Sequence, residues 1–125
     1  MNSITEITDL IGEVNTRNGW HDRLQALRQD GNSAALTDHI IAKLGLVGTE
    51  VSEAIEVARV TPAVDLSDPV YGADGKPVGF DSELADIVIR VFDLAYGFGI
   101  DIEGAIREKV AFNSTRGHKH GGKLA

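Results

Sequence analysis

The stretch Glu83-Leu84-Ala85-Asp86-Ile87-Val88-Ile89-Arg90-Val91-Phe92-Asp93-Leu94-Ala95-Tyr96 decides the fold. It is too long and too free of breakers to be a single strand, and it is apolar on nearly every side. A helix with that pattern belongs in an interior. Asp81 or Ser82 is placed to cap its first turn, and Gly97-Phe98-Gly99 ends it. One chain of 125 residues builds only a modest core. The helix is therefore expected to be buried against a second subunit.

Outward from this helix, the remaining segments also read as helical. On the C-terminal side, Asp101 caps a helix running to about Asn113. On the N-terminal side lies a loop over 61–80 that holds all three prolines, Pro62, Pro69 and Pro77, with a small hairpin expected around Asp74-Gly75. Before it, residues 34–60 form a long helix, in which Leu36, Ile40 and Leu44 recur at four-residue steps. Gly45 and Gly48 weaken its middle by roughly 1 kcal/mol each relative to Ala, and suit either a close helix contact or a kink. His21–Gln29 is a short helix, bounded by the breaks Asn18-Gly19 and Asp30-Gly31-Asn32-Ser33. Residues 3–15 form a first helix on Ile4, Ile7, Leu10, Ile11 and Val14. No strand pattern of any length occurs. The expected fold is all-α, a single domain over 1–125 with a bundle of about four to five helices completed across a homo-oligomer interface. Residues 117–125 are read as a mobile tail.

Two carboxylate patterns stand out, Glu50-Val51-Ser52-Glu53 on the long helix and Glu83-Leu84-Ala85-Asp86 at the start of the apolar one. Residues three apart on a helix share a face, with Cβ atoms about 5–6 Å apart. If the two helices pack antiparallel, four carboxylates can converge. Asp86 is followed directly by Ile87, Val88 and Ile89, and an acid in such surroundings must be paired or bind metal. Oxygen ligands without His or Cys favour Mg2+, with Mn2+ also possible. Glu50 and Glu53 taken alone fit better, with Glu56, the wet face of an amphipathic helix.

Charge sharpens this reading. The chain carries a net −7, which argues against binding nucleic acid, whose phosphates reward a basic face. Lys109, Arg116, Lys119 and Lys123 follow the last acid, Glu108, so residues 1–108 carry −11. An acidic body with a basic end suits a cation held in one and an anion near the other, although a solvated tail has the same composition. There is no cysteine, hence no disulfide or thiolate site. Without a signal-like start or an apolar run of about 20 residues, a cytoplasmic protein with no membrane partner is expected.

The order and spacing of three segments resemble the MazG-like family of the all-α nucleoside triphosphate pyrophosphatase superfamily. They are Lys43-Leu44-Gly45-Leu46-Val47-Gly48-Thr49-Glu50-Val51-Ser52-Glu53-Ala54, then Gly79-Phe80 leading into Glu83-Leu84-Ala85-Asp86-Ile87-Val88-Ile89-Arg90, then Lys109-Val110-Ala111-Phe112-Asn113-Ser114-Thr115-Arg116 with His120-Gly121-Gly122-Lys123 beyond. The likeness spans roughly residues 40–123. It implies that Glu50, Glu53, Glu83 and Asp86 hold Mg2+, that Glu50 or Glu53 activates the water, and that Lys109 and Asn113, with Arg116 and Lys123, contact the phosphates. The implied reaction is hydrolysis of (deoxy)nucleoside triphosphates between the α- and β-phosphates to monophosphate and pyrophosphate, in nucleotide-pool housekeeping, by a dimer or tetramer. Trp20, Tyr71 and Phe80 are the aromatic candidates for stacking on the base, Trp20 first. The alternative is a non-catalytic helical oligomer that binds nucleotide or metal for regulation.

Overall fold

The computed structural model describes residues 3–116, and it is all-helical apart from turns and one isolated β-bridge. Five α-helices follow one another: α1 (Ile4–Arg17), α2 (Asp22–Asp30), α3 (Ser33–Val60), α4 (Phe80–Gly97) and α5 (Ile102–Ser114). The starts of α1, α3 and α5 each have a side-chain cap. The Ser3 hydroxyl accepts from the Glu6 amide at 3.0 Å, the Asn32 side chain from Ala35 at 3.0 Å, and Asp101 from Gly104 at 2.9 Å. Gly31, at φ 69°, ends α2 in the left-handed conformation that glycine adopts without strain.

The helix 4 start differs from the sequence expectation. It begins at Phe80 behind Gly79, and neither Asp81 nor Ser82 is the cap. Asp81 instead accepts from the next amide, Ser82, at 2.8 Å. The cause is the preceding hairpin. Val78 donates to Val70 at 2.8 Å and Gly72 to Lys76 at 2.8 Å, around a turn with Gly75 at φ 83°. This brings the Val70 amide so near that a Cβ on Gly79 would lie 3.1 Å from it, so the chain enters the helix through glycine.

Helix α4 is central and packs most extensively on α3, then on α1; α2 leans on α3, and α5 meets α1 at one end. The α1–α4 crossing is close because Gly12 has no side chain: a Cβ there would fall inside the Tyr96 ring. The α3–α4 pair runs antiparallel, since His39 faces Phe98 while Glu50 faces Arg90. Gly45 and Gly48 serve no close contact among the described residues. A Cβ on either would meet nothing within 4 Å, and α3 runs unbroken through both.

The apolar helix is not buried in the single chain. Leu84 is 47% exposed and Val88 45%, and along α3 the apolar residues Ile41, Leu44, Val51 and Ile55 are exposed as well. Only Leu24, Leu27, Ala54 and Ala95 are buried apolar residues among those described, and no large side chain is fully enclosed. The reason is that α4 turns Asp86, Arg90 and Asp93 toward the cavity it shares with α3, with Glu83 beside Glu50 of α3, and so presents much of its apolar surface outward.

Candidate metal centre and its cavity

Helical spacing puts Glu83 and Asp86 on one face of α4, and the antiparallel crossing sets Glu50 of α3 against them. Carboxylate oxygens of Glu50, Glu83 and Asp86 lie within 4.8 Å of one another. Three acids this close repel unless something offsets their charge. Arg90, one turn beyond Asp86, donates its Nε to Glu50 Oε1 at 3.1 Å and offsets one of them. The Glu50 side chain is only 12% exposed. Glu83 Oε2 is buried and has no hydrogen-bond partner. Burial pushes the Asp86 carboxyl above its usual range, helped by the Glu50 charge, while Lys76 and Arg90 pull it back in part. Glu53 is raised too, chiefly by the charge of Glu50. It stands exposed at the edge of the cluster, one turn further along α3. Of the four sequence-derived carboxylates, three converge as expected and the fourth stands beside them.

These acids border a cavity of about 420 Å³ between α2, α3 and α4. Its other end is aromatic, formed by Trp20, His21, His39 and Phe98. Trp20 is 54% exposed and lines it, as its candidacy for base stacking requires. Tyr71 and Phe80 are not among the lining residues. His21 is buried and its Nε2 lies 2.7 Å from Asp93 Oδ1. Gly97 leaves room for that ring: a Cβ there would come within 3.1 Å of His21 Cε1. Arg28 of α2 donates to the Gly97 carbonyl and lies over the Phe98 ring, 5.4 Å from its centroid. It thereby covers the negative end of the α4 dipole. Burial, with the charges of Lys43, Arg23 and His21, lowers the pKa of His39, which favours a neutral ring at pH 7.

The phosphate contacts drawn from the resemblance stand elsewhere. Lys109 and Asn113 are exposed on α5, and neither they nor Arg116 lines the cavity. Arg116 instead lies over the Phe112 ring at 5.7 Å. Lys123 and the rest of the expected tail fall outside the described residues. The cations that do line the cavity are Lys43, Lys76 and Arg90. Two signals in the sequence could have found them. His39, Lys43, Glu50 and Glu53 share one face of α3 at steps of four, seven and three, and Asp86, Arg90, Asp93 and Gly97 share one face of α4 at steps of four, three and four. Lys76 carries no such periodicity, because it comes from the hairpin.

Among the described residues, no helix is long and apolar enough to cross a membrane. No family model, curated protein or solved structure matches this chain.

Proposed function

We propose that this chain is a divalent-cation-dependent hydrolase of nucleoside triphosphates, of the MazG-like kind its sequence resembles, releasing monophosphate and pyrophosphate. One observation carries the reading: Glu50, Glu83 and Asp86 converge within 4.8 Å, and Glu50 and Asp86 line a cavity that Trp20, His21, His39 and Phe98 also line. The donor set fits a hard cation. All three ligands are oxygen, and a buried Glu83 oxygen has no partner among the described residues. Mg2+ is the first candidate and Mn2+ the second. Bound there, the ion supplies Lewis acidity to the phosphate oxygens and to the attacking water.

The residues divide the remaining work. Arg90 fixes Glu50 as a ligand by its 3.1 Å hydrogen bond. Glu53, exposed and raised above its usual range by Glu50, takes the proton as water attacks the α-phosphorus and the bond to the bridging oxygen breaks. Trp20 and Phe98 flank the space for a flat base, with His39 neutral between them and the acids.

A homo-oligomer belongs to this reading. Ile41, Leu44, Gly48, Val51 and Ile55 repeat at steps of three and four along α3, and the four apolar ones are exposed. Gly48 leaves open space in the middle of that stripe. This is the pattern of a helix that packs on another helix, and a second copy is the occupant we assign. Contact of Lys109 and Asn113 with phosphate would then have to come from α5 of that copy.

Incubation with a panel of canonical and damaged nucleoside triphosphates, with Mg2+ and in 18O-labelled water, tests the proposal. Monophosphate carrying the label together with pyrophosphate is expected, and Glu53→Gln should lower turnover by about 10²-fold or more. Mg2+-dependent stabilisation with no turnover of any triphosphate would instead favour a regulatory binding protein.

A further inference from the structure

Five carboxylates stand in or at the cavity: Glu50, Glu53, Glu83, Asp86 and Asp93. Three cations, Lys43, Lys76 and Arg90, stand among them. The internal pairing is selective. Asp93 is taken by His21 and Glu50 by Arg90. Among the described residues, Lys43 and Lys76 make no ion pair, although carboxylates line the same cavity. Two unpaired ammonium groups beside a cation site are suited to an anion that arrives with the cation.

Lys76 is also held where it is by its backbone. Its carbonyl accepts from Gly72 at 2.8 Å, and its amide donates to Asp74 Oδ1 at 3.1 Å. The next residue, Pro77, offers its carbonyl to the Ser82 hydroxyl at 3.2 Å, which ties the hairpin to the first turn of α4. Glu83 and Asp86 leave that same turn and the next. A hydrogen-bonded hairpin thus presents Lys76 from one wall of the cavity, and α3 presents Lys43 from another.

We infer that Lys76, with Lys43 opposite, grips the polyphosphate of the metal-bound substrate, so that the 70–78 hairpin is a specificity element for di- and triphosphate groups over monophosphates. The inference rests on the hydrolase reading above. A charged hydrogen bond lost to phosphate weakens binding by about tenfold or more, and the hairpin's hydrogen bonds fix the backbone from which the ammonium reaches.

The test compares Lys76→Met, Lys76→Arg and, as a charge control outside the cavity, Arg59→Met. For Lys76→Met the KM for triphosphates should rise about tenfold or more, and inhibition by pyrophosphate should weaken alike. Lys76→Arg should recover most of both, and Arg59→Met should change neither. The rise in melting temperature caused by Mg2+ alone should persist in all three, because none of them is an assigned ligand, and for Lys76→Met it should be no smaller than in the wild type, since a positive charge beside Asp86 is removed. A KM for Lys76→Met within about twofold of the wild type, in an active enzyme, overturns the inference and leaves the hydrolase reading standing. If the wild type turns over no triphosphate, the hydrolase reading fails, and calorimetry with pyrophosphate and Mg2+ decides this inference alone. Binding weakened about tenfold by Lys76→Met would sustain it; equal binding, or none by the wild type, would overturn it.

Discussion

Asp86→Asn should act in opposite directions on the metal-free and metal-bound protein. Its carboxyl lies within 4.8 Å of two others. At that distance and an effective dielectric of about 20, each like-charged pair costs about 3.5 kcal/mol. Lys76 and Arg90 return part of this, and the upward displacement of the Asp86 pKa shows that burial and Glu50 prevail. The amide removes this net penalty while keeping shape and size. Without divalent ions, Asp86→Asn is therefore expected to melt above the wild type. With Mg2+ at ten times its dissociation constant, the wild type gains about 1.4 kcal/mol and the variant little, and at higher Mg2+ their order reverses. Turnover should be lost under both conditions. The assay is thermal unfolding of both proteins at one concentration, in chelator and across a Mg2+ series. A lower melting temperature for the variant in chelator would refute the claim of crowded negative charge. An equal Mg2+ response in the two proteins would refute Asp86 as a ligand.

Other consequences follow from particular contacts. Gly12→Ala, which in an ordinary helix gains about 1 kcal/mol, should cost about 2–3 kcal/mol here, because the new methyl group meets the Tyr96 ring; urea unfolding showing an unchanged or stabilised variant would contradict the α1–α4 crossing. Glu103 accepts from the Thr5 amide at 3.0 Å, and this bond, ahead of Arg107, holds its carboxyl below the usual range. Its contribution is present above the ordinary carboxylate pKa and is lost as pH falls through the lowered value. Amide protection in α5 should therefore drop on acidification below about pH 4, and Glu103→Gln should remove that dependence. Sedimentation at micromolar concentration should show no folded wild-type monomer, and Leu44→Asp should dissociate the assembly; a helical, monodisperse wild-type monomer would refute the proposed interface.

The sequence by itself determined the helices, because their signals are local. Ser3, Asn32 and Asp101 cap, Gly31 stops α2, and the apolar residues recur at helical steps, so the expected segments lie within a few residues of the observed ones. It also determined which acids could share a face, since three-residue spacing on a helix needs no partner to be read. What only the tertiary structure decided depends on contacts between distant residues. Glu50 and Arg90 are forty positions apart, and the crossing of α3 over α4 brings Glu50 to Glu83 and Asp86 while Glu53 stays at the edge. Packing also joins Trp20, His21, His39 and Phe98, drawn from three segments, around one cavity. Lys76 reaches that cavity through a turn whose register is set by the bonds Gly72–Lys76 and Val70–Val78. The apolar character of α4 was plain in the sequence, yet which side it turns outward was not. A helix that is apolar almost all round is steered by its few polar residues, and here Asp86, Arg90 and Asp93 turn to the cavity, Glu83 turns to Glu50, and Leu84 and Val88 are left at the surface.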